Sequence, residues 1–314
     1  MRVHHAIRES VGGIVSRSQL LSRARVRAYG KAHGFDVRTG EGCISITQDD
    51  RGRRILLSAE HAVYARDVLD EFDYYFEAVE PTSSLPCLTV DYSRPRTHRV
   101  RGWDLMPVEF PALAEPLATA TEYLDFADLK EGQTVLDLGA YSGLTSMLFK
   151  EAVGLGCVVA VEVDPTNMKS LRKNINNFRD ITGTAPQIAE VAIWGNDQGI
   201  EFLSEGNMGS AAASLMNRGR SRTHRVPSVT LSGLALQFDL EDVDFIKADV
   251  EGAEFQAFSD ADFFKDRHPK IIFEGAGGSG ERDHQSVIRV LEVHGYRCQV
   301  QDQPGALLPL VTCV

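Results

Sequence analysis

The sequence predicts an α/β fold: a doubly wound, mostly parallel sheet preceded by a smaller α+β N-terminal region. Three observations carry this. From about residue 112, short and nearly continuous apolar runs alternate with helical stretches, the pattern of strands buried on both faces and joined by helices. One such run, Thr134–Leu138, leads straight into a glycine-bearing turn, Gly139-Ala140-Tyr141-Ser142-Gly143. The 314 residues are 43% apolar and 25% charged, a globular composition with ample material for a core.

The same numbers exclude several classes. A formal net charge of -11 argues against a nucleic-acid partner, because phosphate binding runs on Lys and Arg. Cys43, Cys87, Cys157, Cys298 and Cys313 are odd in number, scattered and free of any C-x-x-C. That argues against a disulfide scaffold or a thiolate zinc site and fits a reducing cytosol. No apolar run approaches the ~20 residues of a membrane span, and the first residues lack an apolar signal core, so a cytoplasmic location is expected. Charge is uneven: residues 1–38 hold eight Arg and Lys against Glu9 and Asp36. A basic helix is expected over residues 16–29, where contact with an anionic membrane surface competes with the blander solvated or packing helix.

Taken in order, residues 43–47 and 53–57 flank a turn-rich connection and predict a hairpin. Over residues 60–80, Ala62, Ala65, Leu69, Phe72, Phe76 and Val79 recur at helical spacing, and Pro81 ends the helix. Residues 88–92 and 98–101 read as strands, and Pro107, Pro111 and Pro116 mark a boundary. Two domains follow, 1–110 and 111–314. The second begins with a helix near residues 115–127 and the strand Thr134–Leu138. A helix from Leu144, the strand Cys157–Glu162 and a helix opened by Asp164-Pro165 come next, Asp as N-cap and Pro at the first helical position. Strands at 187–193, 244–249 and 270–274, a helix at 283–294, and strands near 296–300 and 308–313 complete it.

The turn selects the ligand. Glycines let a ligand approach the backbone, and at the carboxyl edge of such a sheet a ligand is expected. Roughly 25 residues further on, the next strand ends at Glu162, a carboxylate suited to a ribose diol. Together these predict an adenosine-type cofactor. Tyr141 and Leu144 stand where a nicotinamide fingerprint needs glycines, and the G-K-[ST] of a P-loop is absent. The acidic D-x-G-x-x-x-G turn repels a pyrophosphate and suits a ligand with ammonium and sulfonium groups, which favours S-adenosylmethionine. Gly275-Ala276-Gly277-Gly278-Ser279-Gly280 does match G-x-G-x-x-G, but too little chain follows it for a dinucleotide domain, so it reads as a rim loop.

The segment Val243-Asp244-Phe245-Ile246-Lys247-Ala248-Asp249-Val250-Glu251-Gly252-Ala253-Glu254 strongly resembles the hallmark of FkbM-type S-adenosylmethionine-dependent methyltransferases. Val229-Thr230-Leu231 with Leu234, the Asp137–Gly143 turn, and Leu171, Asn174 and Asn177 after Glu162 are similar to that family. So are Ala192, Gly199 and Phe202, while Asp164 departs from its usual Glu-Pro. The resemblance covers roughly residues 115–275 and leaves 1–110 unmatched. It implies a Rossmann-like seven-stranded sheet with an antiparallel last strand. It also implies methyl transfer to hydroxyl oxygens, often on sugars of surface polysaccharides or on natural products.

The expected cofactor-binding set is Glu122, Asp137, Gly139, Ala140, Tyr141, Ser142, Gly143, Glu162, Val163, Asn167 and Asp249. The expected catalytic set is Asp249, Glu251 and Glu274, with Asp249 toward the cofactor's amino end and Glu251 or Glu274 as base. For each carboxylate, helix capping or pairing with Lys247 is an equally weighted structural alternative. His98, His224 and His284 read as surface loop residues and His61 as structural. No metal is expected. Residues 204–225 form a long polar segment whose Arg218, Arg220, Arg222 and Arg225 could hold a phosphorylated acceptor, against a solvated hairpin tip. Residues 1–110 would be a cap, a substrate-binding part or a homodimer surface. A catalytically silent cofactor-binding scaffold, or methylation of another small or macromolecular acceptor, is the competing function.

Overall fold

Strand alternation builds the sheet that positions the site. Leu136 and Leu138 bury in one hydrophobic cluster and Val135 in another; Val159 and Val161 alternate with Val158, and Ile246 with Phe245, in the same way. Side chains two apart share a face, so these strands are apolar on both sides. The computed structural model describes residues 17–40, 42–48, 51–114, 116–204, 211–212, 223–275, 283–301 and 309–314. They form two compact units that change over between Leu117 and Ala118.

The second unit holds a seven-stranded sheet. Its order is Cys298–Gln301, Leu310–Cys313, Lys270–Glu274, Phe245–Ala248, Thr134–Leu138, Cys157–Glu162, Gln187–Glu190. The five strands from Lys270–Glu274 to Gln187–Glu190 are parallel, and Leu310–Cys313 runs antiparallel to both of its neighbours. This is the Rossmann-like sheet with an antiparallel last strand that the resemblance implies. Helix Leu117–Ala127 buries Tyr123 and Ala127 with Val135, Phe149 and Phe245. Helix Pro165–Thr182 is opened by Asp164, whose carboxylate accepts from the N–H groups of Thr166 and Asn167. Gly183 closes that helix at a left-handed φ.

In the first unit, Phe35–Thr39, Cys43–Gln48 and Arg53–Ser58 form an antiparallel meander, and Leu88–Tyr92 joins it parallel to the third strand. The 43–57 hairpin is as expected; Phe35–Thr39 was not. Helix Arg17–Ala32 covers the basic stretch. Its Tyr29 donates to Asp70, with Arg66 over the ring and His33 stacked beside it.

Several expectations are corrected. The single helix over 60–80 is three pieces, Ala59–Tyr64, Ala65–Asp70 and Phe72–Glu77, broken where Glu71 leaves helical conformation at φ -129°. The apolar face is nevertheless kept, with Ala65, Leu69, Phe72, Phe76 and Val79 buried. The strand over 187–193 splits at Val191: Gln187–Glu190 stays in the main sheet, while Ala192–Ile193 pairs with Ser228–Val229. The polar 204–225 segment is bounded by pairing, because Ile200–Leu203 pairs with Ala211–Ala212 and with Thr223–Val226. Arg218, Arg220, Arg222 and the 276–280 loop lie outside the described residues. The cysteines are not all free. Cys298 and Cys313 face one another across adjacent antiparallel strands and form a disulfide, leaving Cys43, Cys87 and Cys157 as thiols. Scattered spacing therefore gave no warrant for a reducing compartment. Among the described residues no helix is long and apolar enough to cross a membrane.

Candidate active site

Register sets the site. Leu138 pairs with Val161 on one side and Ala248 on the other, and Ala248 pairs with Phe273. The residues that follow these four, Gly139, Glu162, Asp249 and Glu274, therefore stand level along the carboxyl edge of four adjacent strands. At ~4.8 Å per strand the row is ~14 Å long. It lies where open α/β sheets bind ligands.

Gly139 is the closest point of the row. Its φ is +79°, and a Cβ there would meet the carbonyl oxygen of Asp249 at 1.9 Å, so no other residue fits. Gly143, at φ +82°, has Leu171 where a Cβ would go, 2.5 Å away. Four of the backbone donors of this turn are spent inside the protein. Gly139 and Ala140 donate to the Val161 carbonyl at 3.0 and 2.9 Å, Tyr141 to Glu162 Oε2 at 3.0 Å, and Gly143 to the Ala140 carbonyl at 2.7 Å. These four are therefore not available to cradle a phosphate. Ala140 and Ser142 are buried, and Asn174 Nδ2 holds the Ser142 carbonyl at 2.8 Å.

Glu162 closes the turn from the neighbouring strand. Its Oε1 accepts from the N–H groups of Val163 and Asp164 at 2.7 and 2.8 Å. Its Oε2 accepts from Tyr141 and, at 3.4 Å, from Asn167 Nδ2. A carboxylate has about four acceptor positions, so the capacity left for a hydroxyl lies on Oε2, where the Asn167 bond is long. Burial pushes the Glu162 carboxyl up to about 7, against the pull of the Asp164 and Val163 N–H groups. Val163 and Asn167 are thus brought to the turn through Glu162.

Asp137 is fully buried and shares the face of Val135, beneath helix Leu144–Val153. Ser146 Oγ donates to its Oδ2 at 2.5 Å, and Lys247 Nζ lies 3.3 Å from its Oδ1. Lys247 also donates to the Gly139 carbonyl at 2.8 Å. Asp137 is therefore tied to the turn through Lys247. Glu122 is exposed on helix Leu117–Ala127, and among the described residues no hydrogen bond or ion pair joins it to the turn.

Asp249, Glu251 and Glu274 are half-buried at the same edge. The Asp249 N–H donates to the Leu138 carbonyl at 2.9 Å, which locks this loop to the glycine turn. Glu254 starts helix Glu254–Phe258, is 4% exposed and turns its Oε1 back to the Val250 N–H at 3.1 Å. Burial pushes its carboxyl up to about 7. Among the described residues four non-glycines have left-handed φ: Asp128, Tyr141, Asp239 and Glu251. Aspartate tolerates that region; the other two are both in the loops of this edge.

None of His98, His224 and His284 stands in the carboxylate row. His98 is not a surface loop residue: it is buried in strand Arg96–His98, and burial, reinforced by Arg96, lowers it to about 4. His224 sits in strand Thr223–Val226, and His284 begins helix His284–Val293. No group of three or more His, Cys, Asp or Glu that could hold a metal is present among the described residues. A cavity of about 390 Å³ lined by Arg172, Asn176, Arg179 and residues 183–188 flanks the amino end of strand Gln187–Glu190, at the edge opposite the carboxylate row.

The row fits S-adenosylmethionine: a close-approach glycine with carboxylates on both sides. Comparison with known proteins gives the family through one profile. The profile described as the methyltransferase FkbM domain matches residues 137–298. Among solved structures, a methyltransferase FkbM from Methylobacillus flagellatus KT is 14% identical with a TM-score of 0.40, over 82% of this chain and 55% of that one. A precorrin-6y C5,15-methyltransferase from Geobacter metallireducens GS-15 is 15% identical with a TM-score of 0.38, over 63% of this chain and 87% of that one. A SAM-dependent O-methyltransferase from Thermotoga maritima is 12% identical with a TM-score of 0.38, over 63% and 64%. No protein of curated function matches the chain. The matched region opens on Asp137, the first residue of the turn, and takes in the whole carboxylate row across just over half of the sequence: the chain belongs to the FkbM methyltransferase family.

Proposed function

We propose that this protein methylates a hydroxyl oxygen of a carbohydrate or natural-product acceptor, with S-adenosylmethionine as donor. The observation that carries the reading is the level row Glu162, Gly139, Asp249 and Glu274 at the carboxyl edge. When bound, S-adenosylmethionine supplies an electrophilic methyl group on a sulfonium. Gly139 lets it approach the backbone, Glu162 accepts from ribose hydroxyls through Oε2, and Asp249 pairs with the ammonium. An alcohol that attacks while still protonated would become an oxonium, so a base lowers the barrier. Glu251 or Glu274 takes the hydroxyl proton on its carboxylate. Much of the remaining acceleration is alignment of the acceptor by the surrounding loops. The N-terminal residues 1–110 supply the acceptor-binding cap or a homodimer surface. Arg218, Arg220 and Arg222 would favour an acceptor carrying phosphate.

Calorimetric titration with S-adenosylhomocysteine, with NADH as control, tests the cofactor. We expect binding of the first only, lost in Gly139→Ala because the added Cβ meets the Asp249 carbonyl. Incubation with S-adenosylmethionine and hydroxylated sugars should then yield S-adenosylhomocysteine and a methyl ether by mass spectrometry. Binding without any such product from a broad acceptor panel would favour the silent scaffold.

A further inference from the structure

Glu254 is a buried carboxylate that the chemistry above does not use. The loop before it joins strand Phe245–Ala248 to helix Glu254–Phe258 and carries both Asp249 and Glu251. Two consecutive residues of this loop are left-handed, Glu251 at φ 52° and Gly252 at φ 97°. For Gly252 this is cheap. For Glu251 it is not, and such a conformation persists only where its surroundings over-determine it. Glu254 is part of those surroundings. Its Oε1 accepts at 3.1 Å from the N–H of Val250, the residue before Glu251. Ala253, the residue before the helix, makes no side-chain cap, so Glu254 does that work from inside the first turn. The loop is thus held at the Val250 N–H directly before Glu251, and Asp249 is held at the Leu138 carbonyl.

We propose that Glu254 is a positioning residue for cofactor binding: its carboxylate fixes the 249–252 loop so that Asp249 and Glu251 are presented at the carboxyl edge beside Gly139. This rests on the methyltransferase reading. It does not make Glu254 a contact of cofactor or acceptor.

The test is a cycle of S-adenosylhomocysteine affinities for the full chain, Asp249→Asn, Glu254→Ala and the double variant. Backbone amide exchange at Val250 is measured on the same proteins. Glu254→Ala is expected to weaken binding at least tenfold and to speed exchange at that amide. Asp249→Asn should cost several-fold less in the Glu254→Ala background than alone, because Asp249 is no longer held in place. Glu254→Gln, which keeps one acceptor oxygen, should recover part of the affinity, and it replaces Glu254→Ala in the cycle if that variant does not fold. Unchanged affinity in Glu254→Ala, or equal costs of Asp249→Asn in both backgrounds, overturns the proposal while leaving the methyltransferase reading intact. Failure of the unsubstituted protein to bind S-adenosylhomocysteine overturns both.

Discussion

Asp137 and Lys247 stand directly opposite one another on adjacent parallel strands, each two residues before the loop that its strand feeds. Cross-strand partners share a face, so their charges meet under helix Leu144–Val153, with side chains 0% and 6% exposed. A buried pair of this kind costs desolvation and returns it only while both partners are present. Lys247→Met should therefore destabilise the protein by ~3–5 kcal/mol, since it leaves the buried Asp137 carboxyl without its cationic partner. Lys247→Met combined with Asp137→Leu should cost clearly less than the sum of the two single changes. Urea unfolding of the three variants checks this, and additive costs would mean that the two groups do not interact. The pair was half legible in the sequence. An acid two residues before a turn glycine invites the ligand reading, while the pairing with Lys247 shows only in the register of two strands far apart in sequence. Gly139, Glu162 and Asp249 were legible because the strand ends fix them, whatever the packing behind them. Glu254 was not, because nothing local tells a helix-starting glutamate from one that folds back.

Elements were read where periodicity alone decides them and misread where a partner does. The five parallel strands and helix Pro165–Thr182 follow from apolar runs and a cap. The breaks at Glu71 and Val191 arise from packing and from a second pairing partner, Ser228–Val229, some 35 residues on. The disulfide belongs to the same class. Cys298 and Cys313 are 15 residues apart, and only the antiparallel register of the edge strand and its neighbour sets them opposite. Closing a loop of that length removes unfolded-state freedom worth ~3 kcal/mol on the chain-entropy model. Denatured but unreduced protein should show three reactive thiols and reduced protein five, with reduction lowering the urea midpoint of the second unit. Five thiols without reductant would show that the strands pair without the bond.

Across the whole molecule, the two units carry buried titrations of opposite sign. In the first, burial lowers His98 to about 4 from an ordinary 6.5. The unfolded chain then binds a proton that the folded unit refuses, so this stability is full above pH 6.5 and is lost as pH falls toward 4. In the second, Glu162 and Glu254 are raised to about 7 from 4.5. There the folded state keeps protons that the unfolded chain releases, so this stability is full below pH 4.5 and is lost as pH rises through 7. Moving from about pH 7.5 to about pH 5.5 should cost the first unit ~1 kcal/mol and add on the order of 3 kcal/mol to the second. The chain has two tryptophans, Trp103 in the first unit and Trp194 in the second, so each unit can be read separately. In Trp194→Phe the fluorescence midpoint in urea should fall on acidification, and in Trp103→Phe it should rise. Adding Glu162→Gln and Glu254→Gln to the latter should flatten its pH dependence, whatever those changes do to the midpoint itself, because the titrating groups are gone. Midpoints that move together in the two single-tryptophan proteins would assign the pH dependence to groups shared by the whole chain and not to these three buried side chains.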